Sequence, residues 1–385
     1  MTAGGISPLN FLCILQAAGF HFFTGVPDSL LKDFNACLLD VLQPSEHLIA
    51  ANEGAAIGLA LGHYIASGSP ALVYMQNSGL GNSVNPLVSL ADPLVMGCPM
   101  LLLIGWRGEM TTEDGCQFED EPQHKQQGRI TLRLLDTLDI PYQVLDKYSN
   151  PDDCLHMALS TARDRQGPVA LVVRKGSFAS WPGKENAQPP APLISREAAI
   201  RSVLEDLPES LPIVSTTGMP SRELFELREQ DKVGHQRDLL CVGGMGHAVS
   251  IAAGIALAQP QNRVVCLDGD GAMLMHLGAL TNAASCPNLI HVVLNNGSHD
   301  SVGGQPTRAA ELDLSRIAVG CGYEQSARAS SREEIRYYLH AMLAQHQSSF
   351  LEILCRKGNR ADLGRPTRTP SENRTQFMEF LKFAR

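Results

Sequence analysis

The sequence predicts an α/β fold built on two mostly parallel sheets, and three observations carry that prediction. From Phe22 onward short apolar runs alternate with segments of helical period, the pattern of βαβ units. The alternation fails once, at a Pro-rich polar stretch near Trp181, and then restarts for the rest of the chain. A length of 385 residues also exceeds the usual size of one domain, so two cores of similar size are expected.

The elements follow in order. "FFTGVP" reads as a strand followed by a helix over Ser29 to Leu39, and "HLIAA" as a strand followed by a helix over Glu53 to Ser67. "PALVYMQ" leads into a helix from Gly79 to Leu90, and "PMLLLIG" is the fourth strand. "WPGKENAQPPAPL" has the composition of a linker. The expected division is therefore residues 1–180, a linker at 181–195, and residues 196–385. Beyond the linker "LPIVSTTG", "LLCVGG", "RVVCLDG", "LIHVVLNN" and "SFLEILC" read as strands, with a helix from His247 to Ala258 among the segments between them. No sequence repeat relates the halves.

Composition narrows the function. A net charge of −9 argues against a nucleic-acid or anionic-membrane partner and leaves small-molecule chemistry as the expectation. The ten cysteines lie far apart, with no CxxC spacing, and read as reduced core thiols. No apolar run approaches the roughly 20 residues of a membrane span, and the N-terminal segment lacks a basic leader, so a cytoplasmic location is expected.

In sheets of this kind ligands bind at the carboxyl ends of strands. Two motifs fall there. In "CLDGDGAM" an apolar approach breaks into two glycines around Asp270, and Asn295-Asn296 ends the next predicted strand. Asp270 and Asn296 offer the hard oxygens that magnesium prefers, while Gly269 and Gly271 allow close approach of a diphosphate to a helix N-terminus. The second motif, "GGMGHAVSIAAG", opens a helix and is followed by Asp268 at the end of a strand, which admits a dinucleotide fold; its fingerprint is incomplete, because Val249 stands where a third small residue belongs.

GDG followed by NN resembles the thiamine-diphosphate motif of the pyruvate-decarboxylase-like enzymes. That resemblance implies thiamine diphosphate and Mg2+ as cofactors, with Asp270, the Asn296 side chain and the Ser298 carbonyl on the metal. It further implies that Glu53, at the strand-to-helix junction of "ANEGAA", shares a proton with the cofactor's pyrimidine ring. Met245 would be the wedge that bends the cofactor, Gly243 and Met245 would supply backbone contacts, and Thr217, Gly218 and Gly271 would lie at the diphosphate. Both halves would be thiamine-diphosphate-binding domains, for pyrimidine and for diphosphate, with no central third domain between them.

"FTGVPDSLLKD", "GWRGE", "DEPQHKQQG", "SVGGQPT" and "DLGRPT" are similar to the short members of that family that act on a 2-oxo acid bearing a second anion. Phosphonopyruvate is the implied substrate, with sulfopyruvate as the alternative. The implied proton-handling residues are Asp28, His124 and His299. Arg107, His124, Lys125, Arg360 and Arg365 are the candidates for gripping the second anion, on segments read as loops, and the implied assembly is a homodimer or larger with shared active sites. A nicotinamide-dependent oxidoreductase and a non-catalytic phosphate-binding module remain as rival readings, although the module has no use for Glu53.

Overall fold

Each half folds around its own sheet, in units spanning Met1–Ala187 and Gln188–Arg385. The computed structural model describes residues 4–109, 121–183 and 193–383.

In the first unit the strands are β1 (Phe22–Gly25), β2 (His47–Ile49), β3 (Ala71–Gln76), β4 (Met100–Gly105), β5 (Tyr142–Leu145) and β6 (Pro168–Val173). They pair in the order β2-β1-β3-β4-β6-β5, all parallel. Both faces are covered. Alternate residues of β4 enter different cores: Leu101 and Leu103 join Phe11, Phe34 and Leu159 on one side, while Met100, Leu102 and Ile104 join Ile57, Leu61 and Leu87 on the other. A strand apolar on both sides is what a parallel sheet between helices requires.

The second unit contains β7 (Ile213–Ser215), β8 (Asp238–Leu240), β9 (Val264–Gly269), β10 (Leu289–Asn295), β13 (Gln325–Ala329) and β14 (Ser349–Leu354). A short antiparallel hairpin, β11 (Ser298–His299) with β12 (Gln305–Pro306), follows β10. The sheet runs β13-β14-β10-β9-β7-β8. With the hairpin set aside and the sheet read from its other edge, the order is second, first, third, fourth, sixth, fifth. The first unit has the same order, so the two halves share a topology that no sequence repeat betrays.

The helix Glu53–Ser67 starts where expected because Asn52 accepts the Ala55 N–H at 2.8 Å, and it stops at Gly68, whose φ of 71° ends the helical path. The expected helix from Gly79 to Leu90 is broken into a 3-10 turn at Asn77–Gly79, an α-helix at Leu80–Pro86 and a π-turn at Leu87–Ala91. Pro86, with no N–H to donate, marks the change of hydrogen-bonding pattern. Trp181 is tied to the first unit, its backbone N–H to Asp33 at 3.0 Å and its indole to Asp40 at 2.7 Å. Ser195 caps the first helix of the second unit, Arg196–Asp206. The nine described cysteines are all free, and five are buried; Cys13, expected in the core, is exposed. Among the described residues no helix is long and apolar enough to cross a membrane.

Candidate active site

The shared strand order sets where ligands can reach the backbone. In each unit the second and third strands flank the first, so a crevice opens at the first strand's carboxyl end. Asp28 follows β1 there, and in the second unit Thr217 and Gly218 follow β7 while Asp270 follows β9.

In the first unit Asp28 is completely buried. One carboxylate oxygen accepts the Leu30 N–H at 3.0 Å and the other has no hydrogen-bond partner. Burial pushes its pKa up to about 6, against the opposing pull of the Leu30 N–H and the Arg107 charge. Gly105, the last residue of β4, gives the carboxyl its room, since a β-carbon there would overlap Asp28. Arg107 donates through Nη1 to Ser29 Oγ at 2.7 Å and through Nη2 to His124 Nδ1 at 3.2 Å. A guanidinium only donates, so this contact makes Nδ1 of His124 the acceptor and leaves the ring proton on Nε2. Asn77 holds the Arg107 backbone by accepting its N–H at 3.3 Å and donating to its carbonyl at 2.9 Å.

His124 and Lys125 were expected on a loop, but they occupy the first turn of the helix Pro122–Thr137, which opens with Pro122 at N1. Gly108, at φ 72°, packs its carbonyl against Gly128 and would clash with His124 if it carried a side chain. That close approach brings Arg107 to His124. Lys125 is exposed. Glu109 pairs with Arg174 at 2.9 Å.

Glu53 is buried at the start of its helix and accepts from Asn82 Nδ2 at 2.8 Å. Its carboxyl lies against Gly79, where a β-carbon would strike it.

In the second unit Asp270 is buried, and the Thr307 hydroxyl donates to it. Burial raises its pKa to about 6, with the Thr307 and backbone hydrogen bonds opposing and the nearby Asp300 charge adding to the rise. Asn296 donates through Nδ2 to Asp300 at 2.6 Å and accepts the Ser298 N–H through Oδ1 at 3.1 Å. Gly297 between them turns the chain at φ 62°. Met245 stands between Gly244 and Gly246, both at positive φ, and a β-carbon placed on Gly271 would lie 3.4 Å from its terminal methyl and 3.0 Å from the His299 ring. Met245, Gly271 and His299 thus meet. Burial lowers the His299 pKa to about 4, so the imidazole is neutral at pH 7. Gly243 precedes this turn and is half-buried, as are Thr217 and Gly218.

Two expectations change. Arg360 is engaged by Glu197 at 3.1 Å, by Asp362 at 3.0 Å and by Glu226, contacts that pin the C-terminal tail to two helices rather than offer a cation to a substrate. Arg365 is exposed on the same tail. Asp268, which a nicotinamide site would turn toward a ribose, is fully buried with its second oxygen 3.4 Å from His291 Nε2. Ser29, Thr307, Asp300 and Arg196 were missed by the sequence reading. Ser29 had a signal, its position directly after Asp28. Asp300 had one as well, four residues after Asn296, whereas Thr307 and Arg196 join the site only through the tertiary fold.

The donor set suits a diphosphate held through a hard cation: a buried carboxylate, an amide oxygen and nearby backbone, with no soft ligand among them. The buried Ser298 hydroxyl and the Gln305 amide lack partners, and side chains crowd neither Gly218 nor Gly269, leaving backbone open to a ligand.

Comparison with known proteins agrees with this geometry. Residues 11–132 match the N-terminal, and residues 217–353 the C-terminal, TPP binding domain of thiamine pyrophosphate enzymes. Phosphonopyruvate decarboxylase of Streptomyces viridochromogenes is 35% identical over 98% of this chain and 95% of its own length. Its counterpart from Streptomyces hygroscopicus is 34% identical over 97% and 94%. Sulfopyruvate decarboxylase of Methanosarcina acetivorans is 26% identical over 84% and 85%. The chain belongs to the thiamine pyrophosphate enzymes and, within them, to the decarboxylase family of its phosphonopyruvate decarboxylase relatives.

Proposed function

We propose that the protein decarboxylates phosphonopyruvate to phosphonoacetaldehyde and CO2, using thiamine diphosphate and Mg2+, as a homodimer or larger assembly with shared active sites. The observation that carries the reading is the convergence of Arg107, Ser29 and His124 beside the buried Asp28. Thiamine diphosphate, when bound, would supply a nucleophilic carbon and an electron sink for the decarboxylation.

The chain's own residues do the rest. Asp270, Asn296 and the Ser298 carbonyl hold the cation, Thr217, Gly218 and Gly271 line the diphosphate, and Gly243 and Met245 seat the pyrimidine. Glu53 shares a proton with the pyrimidine ring. Arg107, with the Ser29 hydroxyl and His124 at its two amino groups, presents a planar donor fork to the phosphonate, and Lys125 adds charge at the margin. Asp28, at a pKa of about 6, exchanges a proton near neutrality and can hand it to the product carbon. His299, kept neutral by burial, can accept a proton or a hydrogen bond at the Met245 turn.

The test is Arg107→Ala assayed on phosphonopyruvate, sulfopyruvate and pyruvate. Loss of a charged hydrogen-bonding partner is worth about 1.5–3 kcal/mol, so kcat/KM for phosphonopyruvate should fall about 10- to 100-fold, with pyruvate, which lacks the second anion, changing far less. Equal losses on all three would mean that Arg107 serves the fold or the shared carboxylate. A protein that turns over sulfopyruvate in preference to phosphonopyruvate would shift the substrate assignment and leave the chemistry unchanged.

A further inference from the structure

We infer that Asp300 is a positioning residue for the cation site: through its hydrogen bond it fixes which end of the Asn296 amide faces the metal. The inference rests on the reading of Asp270, Asn296 and Ser298 as cation ligands.

Asp300 opens the 3-10 turn Asp300–Val302, directly after the hairpin strand that carries Ser298 and His299. Its Oδ2 accepts three hydrogen bonds, from Asn296 Nδ2 at 2.6 Å, from Arg196 Nη1 at 2.7 Å and from the Gly358 N–H at 3.0 Å. Arg196 in turn grips Glu223 with two parallel bonds of 2.8 and 3.0 Å. The side chains of Arg196, Glu223 and Asp300 are 4%, 3% and 7% exposed, so this is a buried network and not a surface ion pair.

A carboxylate only accepts. The Asn296 end that faces Asp300 must therefore be the NH2, and the oxygen must face the other way, where the Ser298 N–H also requires an acceptor. Both neighbours impose the same orientation. Without Asp300 the Ser298 N–H alone holds the amide, at 3.1 Å, and the NH2 is freer to turn toward the cation, where it is no ligand. Asn295 is held in the same manner, its Nδ2 donating to the buried Glu352 at 2.6 Å and its oxygen accepting the Gly297 N–H at 3.1 Å. Each asparagine of the pair thus has its own buried carboxylate.

Charge supports the assignment. Glu223 and Asp300 share the guanidinium of Arg196, and the buried Asp270 lies within electrostatic reach of Asp300 without pairing to that arginine, an excess of negative charge that a buried cluster tolerates best beside a divalent cation.

The experiment is a double-mutant cycle on Mn2+ binding, read from the paramagnetic resonance signal of free Mn2+ in the presence of thiamine diphosphate, with thermal unfolding of the cofactor-free protein recorded alongside. Asp300→Ala and Asn296→Ala should each weaken Mn2+ binding about 10- to 100-fold, the usual effect of residues in and behind a metal's ligand shell. Because Asp300 acts through Asn296, the double variant should bind scarcely more weakly than Asn296→Ala alone. Unchanged affinity in Asp300→Ala, or a double variant that loses the product of the two single effects, overturns the inference while leaving the cation ligands in place. Unchanged affinity in Asn296→Ala removes Asn296 from the ligand set and takes both readings down. If Asp300→Ala does not fold, Asp300→Ser, whose shorter side chain withdraws the oxygen from Asn296 Nδ2 and leaves room for water beside Arg196 and Gly358, is put through the same cycle and judged by the same non-additivity.

Discussion

At the scale of single residues, Asp28 and Asp270 are buried carboxylates whose ionisation costs stability. Asp28 has an ordinary pKa of 3.8 and is raised to about 6 in the fold. The native state therefore holds this proton more tightly than the unfolded chain does. Its favourable contribution is complete below pH 3.8, declines as pH rises toward about 6, and is absent above that. The rise from 3.8 to about 6 corresponds to about 3 kcal/mol. Asp28→Asn should accordingly stabilise the protein at pH 7 by up to about 3 kcal/mol and leave it nearly unchanged at pH 3.5, while decarboxylation falls sharply. Denaturant titrations at the two pH values check this. A variant equally or less stable at pH 7 would mean that Asp28 is not held at a cost, and its place in proton transfer would lose its physical basis.

At the scale of elements, one turn governs Glu53. The 3-10 turn Asn77–Gly79 lies against the start of the helix Glu53–Ser67, and Gly79 is in contact with the Glu53 carboxyl. The φ of Gly79 is −71°, which suits any residue, so alanine there acts through volume alone. Gly79→Ala should displace the carboxyl and lower kcat by a factor on the order of 10², the scale of a general acid–base contribution, with circular dichroism unchanged. A variant of ordinary activity would show that the Glu53 carboxyl does not need this position. This contact also marks the limit of what could be read from sequence. The start of the Glu53 helix was legible because an Asn cap and an apolar repeat are local signals, as was GDG at a strand end. Strands β5, β6 and β13 were passed over, as was the helical placement of His124. "YQVL" is short and only half-buried and "PQHKQQG" is polar throughout, whereas "PVALVV" is as continuously apolar as "PMLLLIG" and its signal was available in the sequence. Arg360 looked available because two of its three acidic partners, Glu197 and Glu226, lie far away in the sequence; the third, Asp362, is two residues on. Asp300 and Arg196, 104 residues apart, meet only when the second sheet is complete.

At the scale of the whole molecule, two units of the same topology have diverged in what their strand ends carry. The first presents Asp28, Glu53 and Arg107, fit for proton transfer and anion binding; the second presents Asp270, Asn296 and Ser298, fit for a cation. The second group is the one that thermal stability should report. A ligand that binds only the folded state stabilises it by about 2.7 kcal/mol at 100 times its dissociation constant. For units of this size each kcal/mol moves the midpoint by about 2–4 °C, so saturating thiamine diphosphate with Mg2+ should raise Tm by about 5–10 °C. Either one alone should do much less, because the diphosphate and the oxygen ligands repel each other until the cation lies between them. Asp270→Asn retains the shape but brings a neutral amide to the cation, and should abolish the shift while leaving the ligand-free midpoint no lower, since a buried carboxylate at a raised pKa is removed. Scanning calorimetry on the two proteins, each with cofactor, cation, both or neither, decides the matter. A full shift with thiamine diphosphate in the presence of a chelator, or an undiminished shift in Asp270→Asn, would show that the diphosphate is held without the cation and that the carboxylate of the GDG turn has another task.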